Sequence, residues 1–217
     1  RDPLWSRGLG DVYKRQMLCL KCTNTKDWRC FFLDGLQSTI TLNNGVKMPR
    51  LGLGVWKTSN NDSRDAVIKA IKHGYRAIDT AREYGNEPGT GEGIREGMKQ
   101  EGLKREDLFV TTKLYNGEQG DYNKVSKVLD KQLSDLGLDY VDLYLIHWPV
   151  DATHLESYHA LERLYKEGKV RAIGVSNFDN DRMSKLLEES EIVPAINQME
   201  FNPVSYTHLT LPTICSV

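Results

Sequence analysis

Four side chains in this sequence have the types needed to protonate an oxygen as a carbonyl is reduced: Asp79, Tyr84, Lys113 and His147. Hydride addition to a carbonyl leaves an alkoxide, so a proton donor must stand at that oxygen. A tyrosine hydroxyl can serve, but its unperturbed pKa of about 10 makes it a reluctant acid and a poor base in reverse. An ammonium beside the phenol stabilises the phenolate and lowers that pKa, a role open to Lys113. Asp79 would hold the lysine and keep it charged, and His147 would donate a hydrogen bond that orients the carbonyl. Taken singly, each has a plainer explanation: the Asp a helix cap, the Lys a solvated charge, the His a satisfied core group. Their spacing argues for joint placement, since 113 − 79 = 34 and 147 − 113 = 34.

Each interval is the length of one strand and one helix. Apolar, strand-like runs occupy residues 51–56, 75–81, 108–114, 141–148, 170–176 and 195–200. Asp79, Lys113, His147, Ser176 with Asn177, and Gln198 fall at or near the ends of five of them, with Tyr84 in the loop after Asp79. Between the runs, apolar residues recur at helical spacing: Val67, Ala70 and Ile71; Val125, Val128, Leu129, Leu133 and Leu136; Tyr158, Leu161, Leu164 and Tyr165; Met183, Leu186 and Leu187. Ser63, Asp121 and Asp179 stand where N-caps are expected, and Gly74 and Gly168 where helices should stop. Ahead of all this, Asn44-Gly45 between Ile40, Leu42, Val46 and Met48 signals a β-hairpin.

Runs such as Leu143-Tyr144-Leu145-Ile146 are apolar at consecutive positions, as strands covered on both faces must be. Strand-helix repetition implies parallel strands joined by right-handed crossovers. Periodicity alone leaves an open doubly wound sheet and a barrel both possible. Gly89, Gly91 and Gly93 have the wrong spacing for a dinucleotide fingerprint and follow a loop, so they read as a flexible helix entry. Polar residues at the end of strand after strand fit the C-terminal mouth of a barrel. The fold expected is therefore α/β, a TIM (β/α)8 barrel with six of its eight strand units, preceded by a hairpin. Trp56, Tyr115 and Trp148 would wall the same mouth, with core packing as the alternative.

Composition sets the outer bounds. The 217 residues carry 29 basic and 30 acidic side chains, 27% charged and 39% hydrophobic overall. That balance fits a soluble globular domain and shows no electrostatic footprint for nucleic acid or an acidic membrane surface. No run reaches the roughly 20 apolar residues of a membrane span, residues 1–16 lack a secretory apolar core, and a cytoplasmic location is expected. Cys19 and Cys22 form a C-x-x-C with only Cys30 nearby, too few ligands for a structural zinc, so no metal is expected. Residues 1–38 read as a non-native or disordered extension, 39–203 as the barrel domain, and 204–217 as a non-native tail.

The segments LNNGVKMPRLGLGVWK, GYRAIDTAREYGNE, TTKLYNG, LGLDYVDLYLIHWP, GKVRAIGVSNF and INQMEFNP resemble successive signatures of the aldo-keto reductase family. The resemblance covers residues 39–203 and is nearest to the glyoxal, methylglyoxal and 2,5-diketo-gluconate reductases. It implies catalytic roles for Asp79, Tyr84, Lys113 and His147, nicotinamide-carboxamide contacts from Ser176, Asn177 and Gln198, and a further cofactor contact from Asp79. It also implies NADPH as cofactor and aldehydes, dicarbonyls or ketones as substrates. Tyr115 stands where relatives often have Trp. The family's last two strand-helix units, which grip the cofactor's 2′-phosphate, have no counterpart in the sequence, so NADPH over NADH is not readable from it. Oligomeric state is not readable either, a monomer being expected at full length. A non-catalytic barrel or an inactive fragment is the alternative, and two unpaired strand edges make instability or aggregation of the isolated chain the expectation.

Overall fold

The computed structural model describes residues 36–200; Cys19, Cys22, Cys30, Cys215 and most of both expected extensions lie outside them. Thr39–Thr41 (β1) pairs antiparallel with Lys47–Pro49 (β2), placing Ile40 opposite Met48. The Gly45 N–H donates to the Leu42 carbonyl at 2.9 Å, and Gly45 has φ of 85°. Glycine adopts that left-handed conformation freely, so Asn43, Asn44 and Gly45 close a three-residue hairpin loop. The loop's amides then reach across the molecule. Asn43 Nδ2 donates to the Val193 carbonyl at 3.0 Å and Asn44 Nδ2 to the Arg171 carbonyl at 2.9 Å.

Six parallel strands follow: Leu53–Gly54 (β3), Ala77–Asp79 (β4), Phe109–Leu114 (β5), Leu143–Ile146 (β6), Ile173–Ser176 (β7) and Asn197–Gln198 (β8). They pair in sequence order. Asn60–Lys72 (α1), Glu87–Glu101 (α2), Tyr122–Leu136 (α3), His154–Lys166 (α4) and Asn180–Glu189 (α5) alternate with them. β3 and β8, each with a neighbour on one side only among the described residues, have two residues apiece. In a flat sheet β4 and β8 would lie about 19 Å apart, four strand spacings. Instead Gln198 Nε2 donates to Asp79 Oδ2 at 3.0 Å. The sheet is curled into a barrel wall, as expected.

Alternation along each strand sorts the side chains into two layers. Ile78, Val110, Leu114, Tyr144, Ile146, Ile173 and Val175 join the helix residues Val67, Ile94, Val125, Leu129, Tyr158, Leu161 and Leu186 in one core cluster. Ala77, Phe109, Leu143, Leu145, Ala172 and Ile196 meet Leu42 and Met48 of the hairpin in another. The hairpin thus plugs the end of the curl where the strands begin. Burying each such Leu or Ile contributes about 1.5–3 kcal/mol. No helix among the described residues is long and apolar enough to cross a membrane.

Three local expectations are corrected. Ser59, one turn before Ser63, caps α1 by accepting from the Asp62 N–H, whereas Ser63 is buried with its Oγ 2.6 Å from Thr90 Oγ1. Leu187 is 48% exposed, since α5 turns only Leu186 fully inward. The glycines of α2 are a packing surface. A Cβ on Gly89 would stand 2.1 Å from the Asn60 oxygen, on Gly93 2.7 Å from the Arg64 oxygen, and on Gly91 2.0 Å from the Leu136 oxygen. Backbone, which cannot swing aside, occupies each of those places. Gly91→Ala is therefore expected to lower stability by about 1–3 kcal/mol through overpacking. An unchanged denaturation midpoint would show that α2 and α3 can separate freely.

Candidate active site

The inward rows of the strands end in polar side chains. Asp79 closes β4 and Lys113 lies in β5, while His147 and Asn177 directly follow β6 and β7. Ser176 and Gln198 face each other in register on β7 and β8. Tyr84 ends a 3-10 turn, Arg82–Tyr84, in the loop after β4.

Lys113 is 1% exposed, and its ammonium is held by three oxygens. It donates to Asp79 Oδ1 at 2.5 Å, to the Thr80 carbonyl at 3.0 Å and to the Tyr84 hydroxyl at 3.4 Å. Burial alone would lower its pKa; Asp79 and Tyr84 outweigh burial and raise it, so the lysine stays charged. The Tyr84 ring meets His147 edge-on, with centroids 5.7 Å apart. All four residues therefore surround one point at the mouth.

The expected direction for the phenol is corrected. Burial raises the Tyr84 pKa, and the opposing pull of Lys113 does not cancel it, leaving the group above its ordinary value. Desolvation therefore dominates in this state of the protein, and Lys113 limits the rise without reversing it. Burial, reinforced by Lys113, lowers His147 to about 4. Its imidazole is neutral at neutral pH, with a single N–H to donate. Activity that depends on this group is expected to show no acidic limb near the ordinary imidazole value of about 6.5. A kcat profile with an inflection there would contradict it.

Ser176, Asn177 and Gln198 form a linked edge beside this centre. Asn177 Nδ2 donates to the His147 carbonyl and to Ser176 Oγ, both at 3.0 Å, and Ser176 Oγ donates to the Gln198 carbonyl at 2.9 Å. Asn177 has φ of 61°, a left-handed conformation that asparagine tolerates better than most residues. Asn177 Oδ1 and Gln198 Oε1 accept nothing from the described residues, which leaves two amide acceptors for a carboxamide. Trp56, Tyr115 and Trp148 are exposed rather than packed in the core. Gln119 Nε2 anchors the Trp148 backbone at 2.7 Å. A cleft of about 420 Å³ lined by Thr39, Lys47, Arg76 and Phe109 lies at the hairpin end and contains none of these residues.

Behind β5 lies a polar cluster that sequence reasoning missed. Glu87 Oε1 accepts from Thr112 at 2.7 Å and from Gln132 at 2.8 Å, and the Tyr144 hydroxyl donates to Gln132 Oε1 at 2.7 Å. Gln132 also donates to the Lys113 carbonyl at 3.2 Å, bracing the strand that carries the lysine. Gln132 interrupts the apolar stripe of α3, and that was the available signal. Asn86 braces the other side: its Nδ2 donates to the Val55 carbonyl at 2.8 Å, and its Oδ1 accepts from Thr80 at 3.0 Å.

Parallel strands curled in sequence order, a hairpin plug at one end and polar side chains at the other define part of a (β/α)-barrel. A family model described as Aldo/keto reductase family matches residues 49–215. The chain belongs to the aldo/keto reductase family. An uncharacterized oxidoreductase, YtbE, of Bacillus subtilis (strain 168) is 53% identical over 169 residues, 77% of this chain and 60% of that protein. The glyoxal reductase of the same strain is 50% identical over 169 residues, 77% of this chain and 59% of that protein. The crystal structure of a Bombyx mori aldo-keto reductase in complex with NADP superposes with a TM-score of 0.73 at 38% identity, covering 78% of this chain and 60% of that one. The chain thus spans about three fifths of the length of each of these relatives.

Proposed function

We propose that this site reduces aldehydes, dicarbonyls or ketones to alcohols with NADPH, and that Tyr84 is the general acid. The observation that carries the reading is the Lys113 ammonium, held between Asp79 Oδ1 at 2.5 Å and the Tyr84 hydroxyl at 3.4 Å. The cofactor, when bound, supplies the hydride. Tyr84 delivers the proton to the carbonyl oxygen, and Lys113 stabilises the phenolate that remains. Asp79 keeps the lysine charged and in place. His147 donates its one N–H to the substrate oxygen from Nε2, since Nδ1 is buried. Ser176, Asn177 and Gln198 hold the carboxamide, whose amino group suits the two free amide oxygens. Trp56, Tyr115 and Trp148 shelter the substrate from water.

The glyoxal reductase relative supports a small dicarbonyl such as methylglyoxal as a test substrate. The preference for NADPH rests on the sequence resemblance and on the NADP carried by the Bombyx mori structure. The test is oxidation of NADPH and of NADH with methylglyoxal by the full-length protein. Turnover with NADPH that exceeds turnover with NADH is expected; none with either cofactor would end the reading. A non-catalytic barrel finds no support in a site where all four residues are present and in contact.

A further inference from the structure

Glu83 is a charged group at the mouth that the mechanism leaves unused. It directly precedes Tyr84 in the 3-10 turn, and its side chain is 46% exposed. Glu83 Oε2 lies 3.2 Å from His147 Nδ1, without the alignment of a hydrogen bond. The charges around it are already matched. Lys113 is neutralised by Asp79 at 2.5 Å, and Arg82, its chain neighbour, engages Glu118 at 3.3 Å and Asp135 at 3.2 Å. The Glu83 charge nevertheless reaches the reaction centre, where it raises the Tyr84 pKa.

We infer that Glu83 is a specificity-determining residue that turns the site against anionic carbonyls, 2-oxo acids and sugar acids among them, and toward neutral aldehydes and dicarbonyls. This deepens the proposed function and rests on it, because it takes the carbonyl oxygen to lie at Tyr84 and His147. With Glu83 Oε2 3.2 Å from His147 Nδ1 and the carbonyl oxygen at Nε2 of the same ring, a carboxylate on the carbonyl carbon lies on the order of 6–9 Å from Glu83. At the intermediate dielectric of an open mouth, such a pair of like charges weakens binding about three- to tenfold, less as salt is added. A neutral dicarbonyl incurs no such penalty. Lys57, the cation over the Trp56 ring at 4.2 Å, is common to wild type and variant and cancels in their comparison.

The experiment compares wild type and Glu83→Gln, as full-length proteins with NADPH, on phenylglyoxylate and its methyl ester. The acid-to-ester ratio of kcat/KM is expected to rise about three- to tenfold in Glu83→Gln, to return toward wild type in Glu83→Asp, and to shrink with added salt. A merely structural role would move both probes alike, and a ratio unchanged within about twofold at low salt would overturn the inference. Quenching of tryptophan fluorescence by the same two compounds gives the ratio again as binding. If neither compound is reduced by any form, the proposed reduction falls, while the binding ratio still decides for or against Glu83.

Discussion

Tyr84→Phe is expected to lower kcat by about 10²- to 10⁴-fold while leaving KM and the fold nearly unchanged. The substitution removes one oxygen and keeps the ring, so the edge contact with His147 at 5.7 Å survives. The Lys113 ammonium keeps its two stronger partners, Asp79 Oδ1 at 2.5 Å and the Thr80 carbonyl at 3.0 Å. What disappears is the hydroxyl that faces the Lys113 ammonium at 3.4 Å. His147 cannot replace it as acid, because its pKa of about 4 leaves it neutral at working pH. Steady-state kinetics with methylglyoxal and NADPH measure the effect. Equal turnover in wild type and Tyr84→Phe would remove Tyr84 from the acid role.

The second large effect is on stability. Asp79→Asn is expected to cost about 3 kcal/mol or more at neutral pH, because it strands an ammonium that is 1% exposed. The pH dependence gives this outcome a signature. In the wild type the Lys113 pKa is raised above its unfolded value. The folded state therefore binds more protons in that range, and this contribution, full below the unfolded value of about 10.4, is lost as pH rises through the folded value. In Asp79→Asn, burial without the carboxylate pushes the folded pKa below the unfolded one. The unfolded state then binds more protons, and the variant gains stability as pH rises. Urea midpoints measured between neutral and alkaline pH should show slopes of opposite sign. Parallel slopes would mean that Asp79 is not what keeps Lys113 charged.

The fold was legible because its signals are local. Consecutive apolar residues from Leu143 to Ile146 announce a strand buried on both faces, and the cap at Asp121 is a side chain accepting from the Lys124 N–H at 2.8 Å. Ser63 misled because a polar residue before an apolar stripe reads as a cap, and nothing local shows Thr90 of another helix waiting 2.6 Å away. The α2 glycines misled for the same reason. Their spacing is visible, but the Asn60 and Leu136 backbones that press on them belong to other helices.

At the mouth the division is equally physical. Residue types and their even spacing along the chain determined which groups could take part, since in a strand-helix repeat the strand ends recur on one rim. Only the tertiary structure decided their electrostatics. Desolvation depends on everything packed around a group, so burial could raise the Tyr84 hydroxyl against the pull of Lys113 and lower His147 to about 4. The curl alone brought Gln198 to Asp79 across 119 residues of chain, and the 3-10 turn set the Glu83 carboxylate beside His147. Periodicity acts over a few residues, whereas a charge responds to every neighbour that folding brings to it.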